Sequence, residues 1–401
     1  MISVGIDVSK EKSTVCILKP YGEIVSSPFE ISHVECELSE LASMLLRFEE
    51  DVRIVMEATG IYHLPVLSYL HERGLFVAVI NPFVMKEYRC QGLRRVKTDK
   101  QDAITIANYG IDKWYHLSRY EMNEVIYDEL KLLGRQYRHY MRMRIESVHE
   151  LTHLLDYTMP GIKTLLKGWN EGSGKDKLSD FVEEYWHFDN ITKKSEKQFI
   201  NSYLNWAKKK GYHQSQDKAI KIYAMAKEGI PTLPSSTPSV KMLVHEAVRV
   251  LREVDSTLMM ILTQMQSLAK TLPEYPVVRA MGGVGNVLAP KLIAEIGDVR
   301  RFHSGKALIA YTGIDAPPYQ SGKFIGTERK ISKRGSSALR KIGYETMRCL
   351  KTHTAPKDDA VYQFIIKKEI EGKSKKAAKI AGLNKFLRIY YARVMEVYVK
   401  K

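Results

Sequence analysis

Cysteine is scarce: Cys16, Cys36, Cys90 and Cys349 are the only four in 401 residues. None lies close to another, so neither a disulfide framework nor a zinc site is indicated, and a reducing cytoplasm is the expected compartment. Long apolar runs are missing too. No stretch approaches the ~18 residues that span a bilayer, so no membrane partner is expected. The first residues, Met1-Ile2-Ser3-Val4-Gly5-Ile6-Asp7, lack a basic region followed by an apolar one, which argues against a secretory signal. Histidines are few and dispersed. His149-Glu150-Leu151-Thr152-His153 has the spacing of a zinc protease helix, but no third ligand follows and its surroundings are basic. We read it as a pair of surface or interface histidines. Acidic residues are outnumbered, 46 against 62 Lys and Arg, leaving a net charge of +16. That excess favours a polyanionic partner, nucleic acid ahead of a membrane surface.

What is present is enough for a folded protein of two or three domains. Apolar residues make up 44% of the chain, which excludes wholesale disorder. Ile2 to Val8 alternates as a strand, with Asp7 on the face opposite Ile2, Val4, Ile6 and Val8. Ser13–Leu18 is a second strand, and a turn at residues 19–23 leads into Ile24-Val25. Glu37–Phe48 has helical spacing. Arg53–Glu57 is a buried-type strand, Ile61–Arg73 a helix with Gly74 beyond it, and Leu75–Ile80 a strand closed by Asn81-Pro82. Strands alternating with helices imply an α/β domain whose sites lie at strand ends, where Asp7 and Glu57 stand. Residues 120–157 turn helical, with Leu130, Leu133, Tyr137, Met141, Ile145, Val148 and Leu155 as the apolar positions and Arg135, Arg138, Arg142 and Arg144 on the others. Residues 161–239 are the least legible. Gly168–Lys175 misses the phosphate-loop spacing and reads as a flexible turn, and Ile230–Ser239 as a linker. Val244, Ala247, Leu251, Val254, Leu258, Ile261, Met265 and Leu268 then form a coiled-coil seam. Its partner is either the earlier helix, folded back, or another subunit.

Further on, Met281–Asn286 is a glycine turn feeding a helix over 287–296, a form that offers backbone N–H groups to a phosphate through Gly283 and Gly285. Lys323, Lys330, Lys333 and Arg334 are basic positions around a loop and before a helix at 337–350. The tail from Ile366 to Lys401, with Lys375 and Lys376, reads as a basic helical surface for nucleic acid.

Lys97-Thr98-Asp99-Lys100-Gln101-Asp102 carries the chemistry. Thr98 and Gln101 fit a capping box, making Asp99 the first helical residue. Asp99 and Asp102, three apart, then share a face beside Arg94, Arg95, Lys97 and Lys100. Joined by Asp7 and Glu57, they supply four carboxylates in one α/β domain. Such a set suits two Mg²⁺ ions about 4 Å apart for phosphoryl transfer on a nucleic acid whose phosphates the basic residues hold. Ser321, in a loop beside Gly322 and Lys323, is the best nucleophile by context, with Ser332, Ser336 and Ser337 competing.

Gly5–Lys10, Met56–Gly60, Lys97–Ala103, Gly283–Gly285, Ala294–Asp298, Tyr311–Ile314, Ser321-Gly322 and Ile331–Gly335 stand in the order that resembles the DEDD transposases of the one-hundred-and-ten family of insertion sequences, relatives of Piv-type DNA invertases. The resemblance implies an α/β RNase H/RuvC-like domain at 1–118 with Asp7, Glu57, Asp99 and Asp102 as a metal-binding tetrad. It implies a helical coiled-coil region at 119–272, with an insertion at about 161–239 that exceeds the compact members. A mainly α C-terminal transposase domain at 273–350, with a helix-hairpin-helix-like element, would follow, then a basic tail at 351–401. It further implies that Ser321 attacks the scissile phosphate, that donor and target DNA pair with a structured bridge RNA, and that a homo-oligomer, dimer or tetramer, builds a composite site. The rival readings are an invertase of the same chemistry, a hydrolytic junction nuclease and a non-catalytic RNA-binding scaffold.

Overall fold

The computed structural model describes residues 1–90, 98–122, 124–166, 169–170, 173–316, 320–321, 324–325, 330–352 and 359–399. They divide into two units, Met1–Met122 and Asn123–Lys401.

In the first unit the alternating segments form β1 (Ile2–Val8), β2 (Lys12–Leu18), β3 (Ile24–Ser32), β4 (Val52–Glu57) and β5 (Phe76–Ile80). Their order in the sheet is β3-β2-β1-β4-β5. Strand β2 runs antiparallel to both neighbours, while β1, β4 and β5 are parallel. This is the expected RNase H/RuvC-like α/β arrangement. Strand β3 is longer than Ile24-Val25 suggested. Pro28 within it is tolerated because β3 is an edge strand, where a missing N–H costs no ladder bond. Helices α1 (Glu35–Leu46) and α2 (His63–Glu72) cover one face, burying Ile2, Val4 and Ile6 against Leu41, Leu45, Val66 and Leu70. Asn81-Pro82 does not merely close β5. It starts a helix, α3 (Pro82–Arg89), with the Asn81 side chain accepting from the Phe83 N–H at 2.8 Å and proline at the first position.

The other face takes α4 (Asp99–Asp112). Helix and sheet meet backbone to backbone. A Cβ on Gly5 would overlap Ala103 O and Ala107 N, and one on Gly110 would overlap Ser3 Oγ. The Ser3 hydroxyl, fully buried, donates to Ala107 O at 2.8 Å. Two glycines and two alanines thus set how near the first turn of α4 comes to β1.

The second unit is built on two 34-residue helices, α5 (Val125–Thr158) and α10 (Pro238–Thr271), each about 51 Å long at 1.5 Å per residue. They pack along their length, so the seam closes within the chain: its partner is the earlier helix folded back. Leu251, Leu258 and Met265 are fully buried, each contributing roughly 1.5–3 kcal/mol. Ile145 is exposed. Arg144 is not on an outer position as the spacing suggested. It is buried, pairing with Asp255 at 2.6 Å and with Asp176, its guanidinium 4.4 Å from the Trp169 ring.

Between the two long helices, residues 173–229 are mostly helical, and of the expected linker Ile230–Ser239 only Pro238 and Ser239 join a helix, α10. Helices α6 (Lys177–Glu184), α7 (Asp189–Thr192), α8 (Glu196–Lys210) and α9 (Gln216–Glu228) share an aromatic core of Phe181, Tyr185, Phe188, Phe199, Tyr203 and Trp206. Of the expected flexible turn, Gly168 lies outside the described residues. Beyond α10 come α11 (Tyr275–Arg279), α12 (Leu288–Ile296), α13 (Gly305–Thr312), α14 (Ser337–Thr352), α15 (Ala360–Ile370) and α16 (Lys375–Val399). Every residue of α12 is buried, at the centre of a core reaching from Tyr127 to Val394.

Candidate active site

Parallel register places Ile6 opposite Met56, so Asp7 and Glu57 follow at the C-terminal ends of adjacent strands. Helix α4 begins above them as its cap dictates: Thr98 Oγ1 accepts from the Gln101 N–H at 3.2 Å, and Asp99 and Asp102 occupy the first turn. Asp7, Glu57 and Asp102 are half-buried and Asp99 is exposed. The carboxyl of Asp7 is pushed up to about 6. Burial is the main cause, the charges of Asp102, Asp99 and Glu57 add to it, and the Arg89 guanidinium opposes it.

Arg89 is the residue that sequence reasoning missed. From the end of α3 it reaches Glu57 Oε2 at 2.9 Å with Nη2 and Asp102 Oδ1 at 3.5 Å with Nε. One guanidinium therefore stands between a strand-end carboxylate and a helix carboxylate. Among the described residues no three His, Cys, Asp or Glu side chains close into a ready metal cage. The donors nevertheless fit a hard divalent cation: all are carboxylate oxygens, and four negative charges converge where one arginine answers them. The available signal for Arg89 was the Asn81-Pro82 helix start, which puts an arginine at the end of a short helix following β5.

The other expected positions are dispersed. Lys100 is exposed beside Asp99, whereas Arg94, Arg95, Lys97 and Lys323 lie outside the described residues. Gly283 has φ +76°, and a Cβ there would press on Thr346 O and the Leu350 backbone, so its smallness serves packing against α14. Gly285 is exposed, with open space where a Cβ would be. Lys330, Lys333 and Arg334 are exposed, and Lys333 holds φ 57°, a left-handed conformation unusual outside glycine. It is held there because Lys333 N–H donates to Gly313 O and Ser336 N–H to Tyr311 O. Lys375 and Lys376 are exposed at the start of α16.

Ser321 lies in a two-residue strand with Gln320, paired to Phe324-Ile325. Two rival serines are engaged in the fold. Ser332 Oγ donates to Asp315, and Ser336 Oγ donates to Glu295 at 3.2 Å while accepting from Leu339 N–H at the start of α14. Ser337 is exposed. The zinc-protease-like histidines, His149 and His153, are exposed on α5, in keeping with their reading as surface residues.

Comparison with known proteins agrees with this architecture. Residues 4–160 match a DEDD family of IS110 type described as "Transposase", and residues 275–363 match "Transposase IS116/IS110/IS902 family". The chain is 24% identical over 345 residues to a pilin gene-inverting protein of Moraxella bovis, covering 86% of this chain and 80% of that one. It is 30% identical over 132 residues to the transposase for insertion sequence element IS1111A of Coxiella burnetii, covering 32% and 35%. Among solved structures, Thermus thermophilus RuvC matches 30% of this chain and 100% of its own at 13% identity, with a TM-score of 0.25. With both family matches falling in order on the carboxylate-bearing sheet and on the helical C-terminal region, the chain belongs to the IS110 family of transposases and is an enzyme of DNA recombination.

Proposed function

We propose that this transposase carries out site-specific DNA strand exchange for its own insertion sequence, directed by a structured bridge RNA and proceeding through a phosphoserine–DNA link. The observation that carries the reading is the convergence of Asp7, Glu57 and Asp102 on Arg89 at the strand ends, in a chain of net charge +16. Asp7, Glu57, Asp99 and Asp102 would hold a pair of Mg²⁺ ions, a cation suited to an all-oxygen set. When bound, the metal supplies Lewis-acid stabilisation of charge on the phosphate.

In this reading the Ser321 hydroxyl forms a bond from Oγ to phosphorus. The bond from phosphorus to one deoxyribose oxygen breaks, and that oxygen leaves as a hydroxyl carrying the serine proton. The hydroxyl of another strand then reverses the step, releasing Ser321 and rejoining DNA without an external energy source. Exposed Lys330, Lys333, Arg334, Lys375 and Lys376 support it by offering charge to phosphates of donor DNA, target DNA or RNA. Assembly as a homo-oligomer and work on the nucleoid in the cytoplasm belong to the same proposal.

Similarity to the pilin gene-inverting protein over 86% of the chain favours a second reading, inversion of a fixed segment by the same chemistry. A covalent-adduct assay tests the first. Protein, Mg²⁺, RNA transcribed from the element's flank and junction DNA are mixed, denatured and resolved on a gel. The expected adduct disappears in Ser321→Ala and in Asp99→Asn. An adduct that survives Ser321→Ala refutes the assignment of the nucleophile, and cleavage without any adduct refutes the covalent route. Activity without RNA, on inverted sites only, selects the second reading.

A further inference from the structure

An open groove of about 1050 Å³ lies within the C-terminal region, between α13, α15 and the first half of α16. Its floor is apolar: Ile309 and Ile314 are buried, and Ile331 and Ile380 are partly so. Phe364 forms part of one wall, with Lys385 Nζ 5.0 Å from its ring centre. Lys306, Lys373 and Arg388 are exposed at the rim. Among the described residues Lys306, Lys373, Lys385 and Arg388 form no ion pair within 4 Å, and Arg388 Nε donates to Asn384 Oδ1 at 3.1 Å. The one acid in the lining, Asp315, accepts the Ser332 hydroxyl.

An apolar floor with an aromatic wall and a cationic rim is the chemistry of a site for an unpaired nucleotide. The base loses water against the floor and meets the ring, while its flanking phosphates meet the rim. A neutral lipid or apolar peptide would leave the rim cations unanswered, and duplex DNA presents no free base face to the floor. The volume is just above the ~300–1,000 Å³ typical of small-molecule sites, room for a base with its sugar. Two of the lining segments, Ile314–Ala316 and Ile331, lead into and out of the stretch that holds Ser321.

We infer that this groove accepts an unpaired nucleotide of the DNA strand close to the phosphate that Ser321 attacks. The choice of DNA rests on the strand-exchange reading above; the groove's chemistry does not. Binding the base out of its stack would hold the strand in register while the neighbouring phosphate is positioned.

The test uses the full chain, without metal, and a thymidine-rich single-stranded DNA carrying one 2-aminopurine. Anisotropy gives affinity and its salt dependence, and 2-aminopurine fluorescence reports the environment of the base. For single strands each lost phosphate contact lowers the salt slope by about 0.7, or roughly 5-fold in affinity at ~0.1 M salt. Lys306→Gln/Arg388→Gln should therefore weaken binding about 25-fold and reduce the slope by about 1.4. Phe364→Leu keeps apolar volume but removes the ring, and should alter the 2-aminopurine signal with little change in slope. Circular dichroism establishes that each variant is folded. An unchanged slope, or an equal loss for fully paired duplex, overturns the inference. So does a base signal that Phe364→Leu leaves untouched, or one seen only with RNA of the same sequence. Because no cleavage is measured, an absent Ser321 adduct with an intact groove signal would fail the catalytic reading alone.

Discussion

Replacing Arg89 with alanine should tighten binding of Mg²⁺ or Mn²⁺ to the DNA-free protein. Arg89 holds Glu57 at 2.9 Å and Asp102 at 3.5 Å, and its side chain is only 31% exposed. A cation taking those oxygens must displace the guanidinium. Two unit charges 4 Å apart attract by about 4 kcal/mol at an effective dielectric of 20, but desolvation and partial solvent access remove most of that. A charge-assisted contact of this kind nets roughly 1.5–3 kcal/mol, and the exposure lowers the figure to about 1–2 kcal/mol. That corresponds to about a 5- to 30-fold tighter dissociation constant for Arg89→Ala. Isothermal titration with either metal measures it directly. A second readout is thermal: without metal the variant should melt earlier, since Glu57 and Asp102 lose their counter-charge, and metal should raise its melting temperature more than in the parent. A dissociation constant within twofold of the parent would refute the competition. A weaker one would show that Arg89 orients the carboxylates for the cation instead of standing in for it.

Gly5→Ala should destabilise the first unit by about 3 kcal/mol, read by thermal unfolding, because its Cβ would overlap the backbone of α4 at Ala103 and Ala107. Arg144→Ala should cost about 3–5 kcal/mol by leaving Asp176 and Asp255 buried without their cation; the same loss from Arg144→Lys would show that reaching both carboxylates at once matters as much as the charge. Burial pushes the Asp255 carboxyl up to about 6 despite Arg144, so the native state binds its proton more tightly than the unfolded chain. The stability from that proton is fully present below about pH 4 and is lost as pH rises through about 6. Chemical denaturation across this range should show the loss, and Asp255→Asn should flatten it.

The placement of the four acids on strand ends and a helix start was legible because each is tied to a local signal. Asp7 and Glu57 end alternating or continuous apolar runs, and Thr98 with Gln101 announces where α4 starts. What brings them together was not legible in that way: the approach of α4 depends on Gly5 and Gly110, whose close contacts are visible only once helix and sheet are paired. Arg89 was hidden because an arginine on a short helix carries no local mark of the carboxylates it will meet. The coiled-coil seam could be read from its three-and-four spacing, but the same spacing serves an internal or an external partner, and only tertiary structure selects α5. The middle region was opaque for a different reason. Its helices mix aromatic and aliphatic residues on their buried faces, Phe181 and Tyr185, then Phe199 and Tyr203, lying one turn apart while α9 buries Ala219 and Ile222. The capping box from Ser195 to Gln198 was a usable start signal there.

The chain's route through that middle region has a consequence for how such proteins diversify. It leaves α5 at Thr158 and enters α10 at Pro238, and the two crossings are stitched to one spot: Thr232 N–H and Leu233 N–H both donate to Tyr157 O. Everything between is inserted at one end of a helical hairpin and shares its core with the hairpin, Leu151 and Leu155 of α5 and Val244 and Leu251 of α10 packing among its aromatic residues. Segments with adjacent ends can be lengthened, shortened or exchanged at an entropic cost that rises only slowly with length. The hairpin is therefore a graft point, where a new accessory body can be acquired without disturbing the carboxylate-bearing sheet or the helical core around α12.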